Sequence, residues 1–206
     1  MLGTTNSDRL TERRKATRRE IVAAAWEVAR EEGLAQITLR EIAQRIGMRA
    51  PSLYSHFASK NAIYDAMFAQ AWTACHELML ATESRCPPTL HGALRFYART
   101  FFDFSVSDLA RHQLMNQRTI PGFQPSTESY APAVAVLQGL HDRFAMHGVE
   151  SQQDIDLYVA LVGGLADAQL ANDPGGDRWS RLLDRAVDMY VESLGTRAKE
   201  IHPPIT

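Results

Sequence analysis

The chain has 206 residues, of which 45% are hydrophobic, and its formal net charge is −2 at pH 7. This length fits one medium domain or a small domain fused to a larger one, and the apolar share permits a packed core. The polar N-terminus excludes a signal peptide, and Asp167 interrupts the most apolar run, so we expect no membrane span. Cys75 and Cys86 have neither the number nor the spacing of a disulfide framework or a zinc site. We therefore expect a cytoplasmic protein.

Charge is distributed unevenly along the chain. Residues 1–60 contain eleven Lys and Arg against seven Asp and Glu, a net charge of +4. Residues 61–206 contain eleven against seventeen, a net charge of −6. A basic front and an acidic remainder indicate a head that contacts DNA and a body that does not.

The first predicted element is a basic arm over residues 1–14, followed by a helix over residues 17–32 that stops at Gly33. Basic side chains gather in the arm and at the start of the helix, at Arg9, Arg13, Arg14, Lys15, Arg18 and Arg19. Such a run is often only solvated. Beside a DNA-binding motif, we expect it to follow phosphates or to enter a neighbouring minor groove.

Two short helices around a tight turn are predicted next. Thr38 and Glu41 have the spacing of a capping box, and Ile37 and Ile42 are placed to form a hydrophobic staple across the first turn. Gly47 is suited to end this helix because glycine tolerates a left-handed backbone. The pattern therefore predicts a helix that begins after Thr38 and ends before Gly47.

The second short helix is predicted from its proline and its apolar spacing. Pro51 fits only a first helical turn, and Leu53 and Phe57, four residues apart, give the helix one apolar side. The side chains left exposed are Ser52, Tyr54, Ser55 and His56. Their hydroxyl, phenol and imidazole groups are suited to phosphates and base edges, so residues 38–57 read as a helix-turn-helix.

The run from Pro51 to Phe57, followed by Lys60, resembles the recognition helix of TetR-type (TetR/AcrR) transcriptional regulators, and the resemblance extends over roughly residues 15–68. It implies an all-α fold. An N-terminal three-helix DNA-binding domain would cover residues 15–75, and a C-terminal helical bundle for ligand binding and dimerisation would cover residues 76–206.

One departure from the family concerns the start of the recognition helix. Where many relatives have a small hydroxyl residue as the cap, this chain has Arg49 and then Ala50. Arg49 is therefore a candidate to reach DNA. Arginine binds guanine bidentately, which discriminates by about 1–3 kcal/mol against other bases.

The predicted DNA-binding residues are Thr38, Arg49, Ser52, Tyr54, Ser55, His56 and Lys60. Thr38 and Lys60 lie at helix N-termini, where backbone N–H groups favour a phosphate. We expect Tyr54 and His56 to reach the DNA backbone, and Ser52, Arg49 and Ser55 to read base edges. The alternative for the two aromatic residues is that they only pack on neighbouring helices.

Beyond the recognition helix, a fourth helix is expected to join head and body, with an apolar face that begins at Ile63. The body is predicted to contain helices over residues 90–106, 111–117, 129–147, 152–172 and 178–194. No long strand-like alternation occurs, which favours an all-α fold.

The last two predicted helices are too apolar for one body of this size to bury. Ala160, Gly164 and Ala168 form a stripe of small residues that would let a second backbone approach closely. The family resemblance implies the same homodimer, held by a four-helix bundle. A palindromic operator in double-stranded DNA follows from that two-fold symmetry.

The middle of the chain carries large apolar groups with a few polar neighbours that are candidates to line a ligand cavity. The candidate ligand-binding residues are Phe96, Arg99, Phe102, Met115, Arg118, Phe123 and Tyr130. Ordinary core packing is the alternative for each aromatic side chain taken singly. The loop over residues 117–126 either gates such a cavity or only connects two helices.

We therefore expect a sequence-specific DNA-binding repressor that an unidentified small-molecule effector releases from its operator. The sequence has no catalytic constellation, so we expect neither enzymatic activity nor a cofactor or metal. Two alternatives stay open. One is a metal-responsive regulator that uses Cys75, His76 or His112, and the other is a dimeric ligand-binding interaction module that does not bind DNA.

Overall fold

The fold is known from a computed structural model that describes the backbone of residues 4–201 and the side chains of residues 8–194. Within these residues the chain forms helices and no strand, which confirms the predicted all-α class. The α-helices are α1 Thr4–Glu32, α2 Leu39–Arg45, α3 Ala50–Leu53, α4 Lys60–Thr82, α5 Leu90–Val106, α6 Leu109–Asn116, α7 Thr127–Ala145, α8 Gln152–Asn172 and α9 Leu183–Ile201. None of the described helices combines the length and the apolarity that crossing a bilayer requires.

Side-chain caps explain why two helices match their predicted ranges residue for residue. At the start of α5, the Thr89 Oγ1 accepts a hydrogen bond from the Gly92 N–H at 3.2 Å. At the start of α8, the Ser151 Oγ accepts one from the Asp154 N–H at 3.4 Å. Each cap satisfies a backbone donor that the first turn leaves without a helical partner.

The predicted start of the first helix at residue 17 is wrong, because α1 begins at Thr4. Residues 4–16 contain no proline or glycine, and the Lys15 Nζ pairs with the Glu12 carboxylate at 2.9 Å one turn earlier. Most of the predicted basic arm is therefore helical. Its residues 1–3 lie outside the described residues.

The chain is divided into two compact units. The first comprises Met1–Trp72 and Ala110–Pro132, and the second comprises Thr73–Leu109 and Ala133–Thr206. This division differs from the predicted domain boundary after residue 75, because the segment from α6 to the first turn of α7 belongs to the first unit, where Ser126 and Ser129 bond to Asp65 of α4. The functional boundary itself stays a prediction.

The core of the first unit is built on α1 and α4. Ile21 and Val28 of α1 are fully buried, as are Ile63 and Met67 of α4. The hydroxyl of the buried Tyr64 donates to the Leu34 carbonyl at 2.6 Å, which fixes α4 to the turn that follows α1. These contacts form the base on which α2 and α3 rest.

In the second unit, α5, α8 and α9 pack around three aromatic rings. Phe144 is fully buried, and its ring centroid lies 5.5 Å from that of Tyr158 and 6.3 Å from that of Tyr190. The Tyr158 hydroxyl donates to the Leu94 carbonyl at 2.6 Å, so the buried phenol is satisfied. The α8–α9 connection is held by the buried Gln169, whose Oε1 accepts from the Trp179 N–H at 2.9 Å.

Candidate functional site

The start of α2 has one half of the predicted capping box, the half made by the Thr38 side chain. The Thr38 backbone is extended, and its Oγ1 accepts from the Glu41 N–H at 3.1 Å. The Glu41 carboxylate accepts from the Arg45 Nε at 3.2 Å, so this side chain is directed along the helix. Ile37 and Ile42 are both fully buried, as the predicted staple requires. The Thr38 side chain is exposed, and its hydroxyl proton is left to donate.

The turn between the two short helices is set by one glycine. Gly47 has a φ of 65°, and the Met48 N–H donates to the Ala43 carbonyl at 2.8 Å while the Gly47 N–H donates to the Gln44 carbonyl at 3.3 Å. This pair of bonds is a Schellman motif, in which the left-handed residue is almost always glycine. The chain therefore reverses at the predicted residue and delivers α3 to the surface.

The recognition segment, residues 49–57, contains only one short helix, Ala50–Leu53, followed by hydrogen-bonded turns. Leu53 and Phe57 are buried beneath it, while Ser52, Tyr54 and Ser55 are exposed. Arg49 occupies the cap position with an extended backbone and makes no side-chain cap bond. The exposed side of this segment therefore presents the side chains that the sequence predicted.

Two arginines of α1 hold the end of the recognition segment. The Arg14 Nη2 donates to the Ser55 carbonyl at 2.9 Å, and the Arg18 Nη1 donates to the His56 carbonyl. The Arg18 guanidinium also lies 4.0 Å from the centroid of the Phe57 ring. Cations at the C-terminal end of a helical turn satisfy carbonyls that lack helical partners. These two side chains were predicted to follow phosphates, and the structure gives them partners within the protein instead.

The remaining predicted DNA contacts flank this segment. Lys60 begins α4, and Ser59 caps this helix because its Oγ accepts from the Ala62 N–H at 3.1 Å. His56 is half-buried, and among the described residues its Nδ1 has no hydrogen-bond partner. All the predicted DNA-binding residues lie in the first compact unit.

The guanidinium of Arg45 in α2 forms ion pairs with several carboxylates. Its guanidinium contacts Glu31 at 2.6 Å, Glu41 at 3.2 Å and Glu32 at 3.5 Å. The hydrogen bond with Glu31 raises the pKa of Arg45 above its ordinary range, and the same bond lowers the pKa of Glu31. Arg45 therefore joins α2 to the end of α1, and its charge is already paired with carboxylates.

A cavity of about 440 Å³ lies within the first unit. Phe68 of α4, Leu114 to Asn116 of α6, the loop 117–125 and Tyr130 of α7 contribute to its lining. Four of the candidate ligand-binding residues line it, namely Met115, Arg118, Phe123 and Tyr130. Sequence reasoning did not select Phe68, whose ring stacks on Tyr130 with a centroid separation of 5.8 Å.

The other three candidates belong to α5 in the second unit. Phe102 is buried in the core of that unit, and the Phe96 ring contacts Tyr97 edge-on at 5.9 Å. The Arg99 Nη2 donates to the Ser180 carbonyl at 3.0 Å and contacts the Asp184 carboxylate at 3.4 Å. The structure therefore separates the seven candidates into one cavity group and one group that packs among α5, α8 and α9.

The loop that lines the cavity is fastened to α4 by Asp65. Its carboxylate accepts hydrogen bonds from the Ser126 N–H at 2.7 Å, the Ser126 hydroxyl at 2.8 Å and the Ser129 hydroxyl at 2.7 Å. The Ser126 Oγ in turn accepts from the Ser129 N–H at 3.2 Å and caps α7. Sequence reasoning missed Asp65, because only the cap residues give a local signal and their partner lies 61 positions away.

The described residues give no comparable support for a metal site. In the part of the chain that the structure describes, no three or more His, Cys, Asp or Glu side chains are grouped to hold a metal ion. Of the residues named for a metal-responsive regulator, Cys75 is fully buried, and His112 is buried in α6 beside Asn116.

Comparison with known proteins yields relatives that share the N-terminal part of this chain, and one that aligns over most of it. The family model for bacterial regulatory proteins of the tetR family matches residues 21–67. The tetracycline repressor protein class A from transposon 1721 of Escherichia coli is 38% identical over 185 residues, which cover 84% of this chain and 80% of that repressor. The class D tetracycline repressor of Escherichia coli is 32% identical over 66 residues. That alignment covers 32% of this chain and spans only 30% of the repressor.

A solved structure has the same fold over most of the chain. The transcriptional regulator FadR from Bacillus subtilis, solved in complex with stearoyl-CoA, superposes with a TM-score of 0.65. The match covers 84% of this chain and 96% of that one at 19% sequence identity, and it shows a shared fold.

The contacts of Arg18 predict a local effect on the recognition segment. Arg18→Met keeps an unbranched apolar side chain against Phe57 and removes the donor to the His56 carbonyl, so we expect a loss of about 1 kcal/mol in stability. Faster amide hydrogen exchange over residues 54–57 should accompany that loss. Arg13→Met is the control, because Arg13 is exposed on the same helix. Equal effects of the two substitutions would contradict the assigned contact.

Proposed function

This chain belongs to the tetR family of bacterial regulatory proteins, and from that membership we propose that it is a transcriptional repressor released from its operator by a small molecule. Family members are regulators of transcription and not enzymes. The observation that carries the proposal is the recognition segment, whose polar side chains are exposed while Leu53 and Phe57 anchor it from below. DNA binding is assigned to residues 15–75, and effector binding with dimerisation to residues 76–206.

The exposed side chains divide by chemistry into two kinds of DNA contact. The Tyr54 hydroxyl, the Thr38 hydroxyl at the start of α2 and the Lys60 ammonium at the start of α4 are assigned to phosphates. Arg49 and Ser52 are assigned to base edges in the major groove. The phosphate contacts fix the position of the segment, and the base contacts choose the sequence.

Ser55 has a more restricted role than its hydroxyl suggests. Its Oγ donates to the Ser52 carbonyl at 2.7 Å, so the hydroxyl proton is already used within the segment. The lone pairs of this oxygen remain available, and these accept hydrogen bonds from the amino groups of adenine or cytosine. His56 is half-buried, and its backbone carbonyl accepts a hydrogen bond from Arg18. We assign its imidazole to the DNA backbone.

Dimerisation is proposed through α8 and α9. Leu157 and Val159 of α8 are 55% and 45% exposed, and Met189 of α9 is 60% exposed. Ala160 and Gly164 lie on the exposed part of α8, where a Cβ added at Gly164 would meet no atom within 4 Å. A second copy that packs on these helices would cover the apolar groups. A two-fold dimer would place two recognition segments in major grooves about 34–36 Å apart.

Release by an effector is proposed to act through α4. This helix begins three residues after the recognition segment and supplies both Phe68 to the cavity and Asp65 to the loop. A ligand in the cavity that binds one arrangement of the loop more tightly would shift the position of α4, and only that differential affinity can weaken DNA binding. The stearoyl-CoA in the Bacillus subtilis regulator supports a small-molecule effector in principle.

The assignment of phosphate contacts predicts two different salt dependences. We expect Tyr54→Phe to weaken binding to a duplex selected from a random pool by about tenfold with an unchanged salt slope, because only a neutral hydroxyl is lost. Lys60→Gln should also weaken binding, but with a salt slope smaller by about 0.9. Fluorescence anisotropy at several salt concentrations measures both. Arg85→Gln is the control, because Arg85 is exposed in the second unit, to which no DNA contact is assigned. Unchanged affinity in both test variants would contradict the placement of the interface.

The proposed dimer surface predicts a change of oligomeric state. Leu157→Asp places a charge on the exposed face of α8 and should convert a dimer into monomers, because burying an unpaired charge is costly. Sedimentation velocity measures the outcome. Met146→Asp is the matched control, because Met146 is 64% exposed and lies outside α8 and α9. A monomeric parent protein, or a dimer that tolerates Leu157→Asp, would contradict the assignment.

A further inference from the structure

We infer that the cavity of the first unit binds a planar aromatic molecule that carries a single negative charge, such as an aromatic carboxylate or sulfonate. This inference rests on the proposed function, since it takes the cavity as the effector site. It follows from the charge, the polar groups and the ring geometry of the lining.

The charge of the lining points to an anion. Arg118 lies in the loop and is the single charged side chain among the described residues that line the cavity. Its side chain is exposed at the mouth of the cavity, and within the described residues the structure records no hydrogen bond or ion pair for its guanidinium. The carboxylate fastened to this loop, Asp65, already accepts three hydrogen bonds from the two serines. A guanidinium without a carboxylate partner binds a planar anion through two parallel hydrogen bonds.

The number of charges limits the ligand to one anionic group. The other polar groups of the lining include the amides of Asn116, Gln117 and Gln124, which donate and accept hydrogen bonds without adding charge. A ligand with several phosphates would need several cations, and the described lining supplies one. A cationic ligand would meet Arg118 with no carboxylate in the lining to offset the repulsion.

The rings of the lining favour a flat body over a flexible chain. Phe68 and Tyr130 stack nearly parallel, with an interplanar angle of 12° and a centroid separation of 5.8 Å, so they give the lining one wall of aromatic surface. Buried Leu114, Met115 and Ile120 provide apolar surface in the same lining. Aromatic rings pack on such a wall in offset-stacked or edge-to-face geometry, and methionine adapts to the ring it meets. The volume of about 440 Å³ lies in the lower part of the range for ligand pockets, which suits a compact molecule.

The test uses three probes of one shape and different charge: 2-naphthoate, 2-naphthamide and 2-naphthylmethylammonium. Binding is measured by titration calorimetry, and the ¹³C-methyl resonance of Met115 reports whether the probe enters the cavity. We expect 2-naphthoate to bind at least about tenfold more tightly than 2-naphthamide, because a charge-assisted hydrogen bond exceeds a neutral one. The ammonium probe should show no saturable binding.

Substitutions of Arg118 distinguish a specific anion site from general adsorption of the probes to apolar surface. Arg118→Gln should reduce the preference for the carboxylate over the amide to about twofold or less, and Arg118→Lys should retain part of it. Arg13→Gln is the control, since it removes an exposed arginine that does not line the cavity. A preference that survives Arg118→Gln, equal binding of carboxylate and amide, or an unmoved Met115 resonance would overturn the inference.

Operator binding by the unsubstituted protein distinguishes a failure here from a failure of the proposed function. A protein that selects an operator but binds the probes without regard to charge overturns the ligand class alone. A protein that selects no duplex, yet prefers 2-naphthoate through Arg118, retains the ligand class and contradicts the repressor.

Discussion

The carboxylate of Asp65 is the contact on which the proposed regulation depends. It accepts three hydrogen bonds from Ser126 and Ser129, and thereby joins the end of the cavity loop to the first half of α4. Without these bonds the loop would be held on α4, the helix that follows the recognition segment, by ring contacts such as the stacking of Phe68 on Tyr130. The proposed effector site and the proposed DNA-binding surface would then be linked through the covalent chain and apolar packing, which adjusts more easily than a carboxylate with three fixed donors.

A second constraint comes from the small size of the recognition helix. Four residues of α-helix are far below the length at which a helix is stable alone, so the segment must be held by its surroundings. Leu53 and Phe57 anchor it from below, and Arg14 and Arg18 hold its last carbonyls. Two cations of the N-terminal basic run therefore stabilise the proposed DNA-binding surface from within the protein. Both guanidinium groups bond to carbonyls within the protein, so the proposal assigns no phosphate contact to them.

Local signals explain which features could be predicted from the sequence. Capping residues such as Thr38, Ser59 and Thr89 act within one helical turn, so their pattern is visible in a few letters. The Asp65 contacts and the arginine–carbonyl bonds join residues far apart in the chain and leave no such trace. Helical periodicity marks an apolar face, but it does not tell a core from a cavity, which is why Phe102 was grouped with Met115. The early start of α1 leaves little trace in the sequence, because a dense basic run has no periodic apolar face to mark a helix.

The most direct test of the coupling through Asp65 is amide hydrogen exchange over residues 117–130, measured with and without a selected operator duplex, in the parent protein and in Asp65→Ala. The account predicts that DNA binding changes exchange at Ser126 and Ser129 in the parent protein, and that this change is lost in the variant while the recognition segment is still protected by DNA. Exchange in this loop that is indifferent to DNA in the parent protein, or an equal response in both proteins, would contradict it.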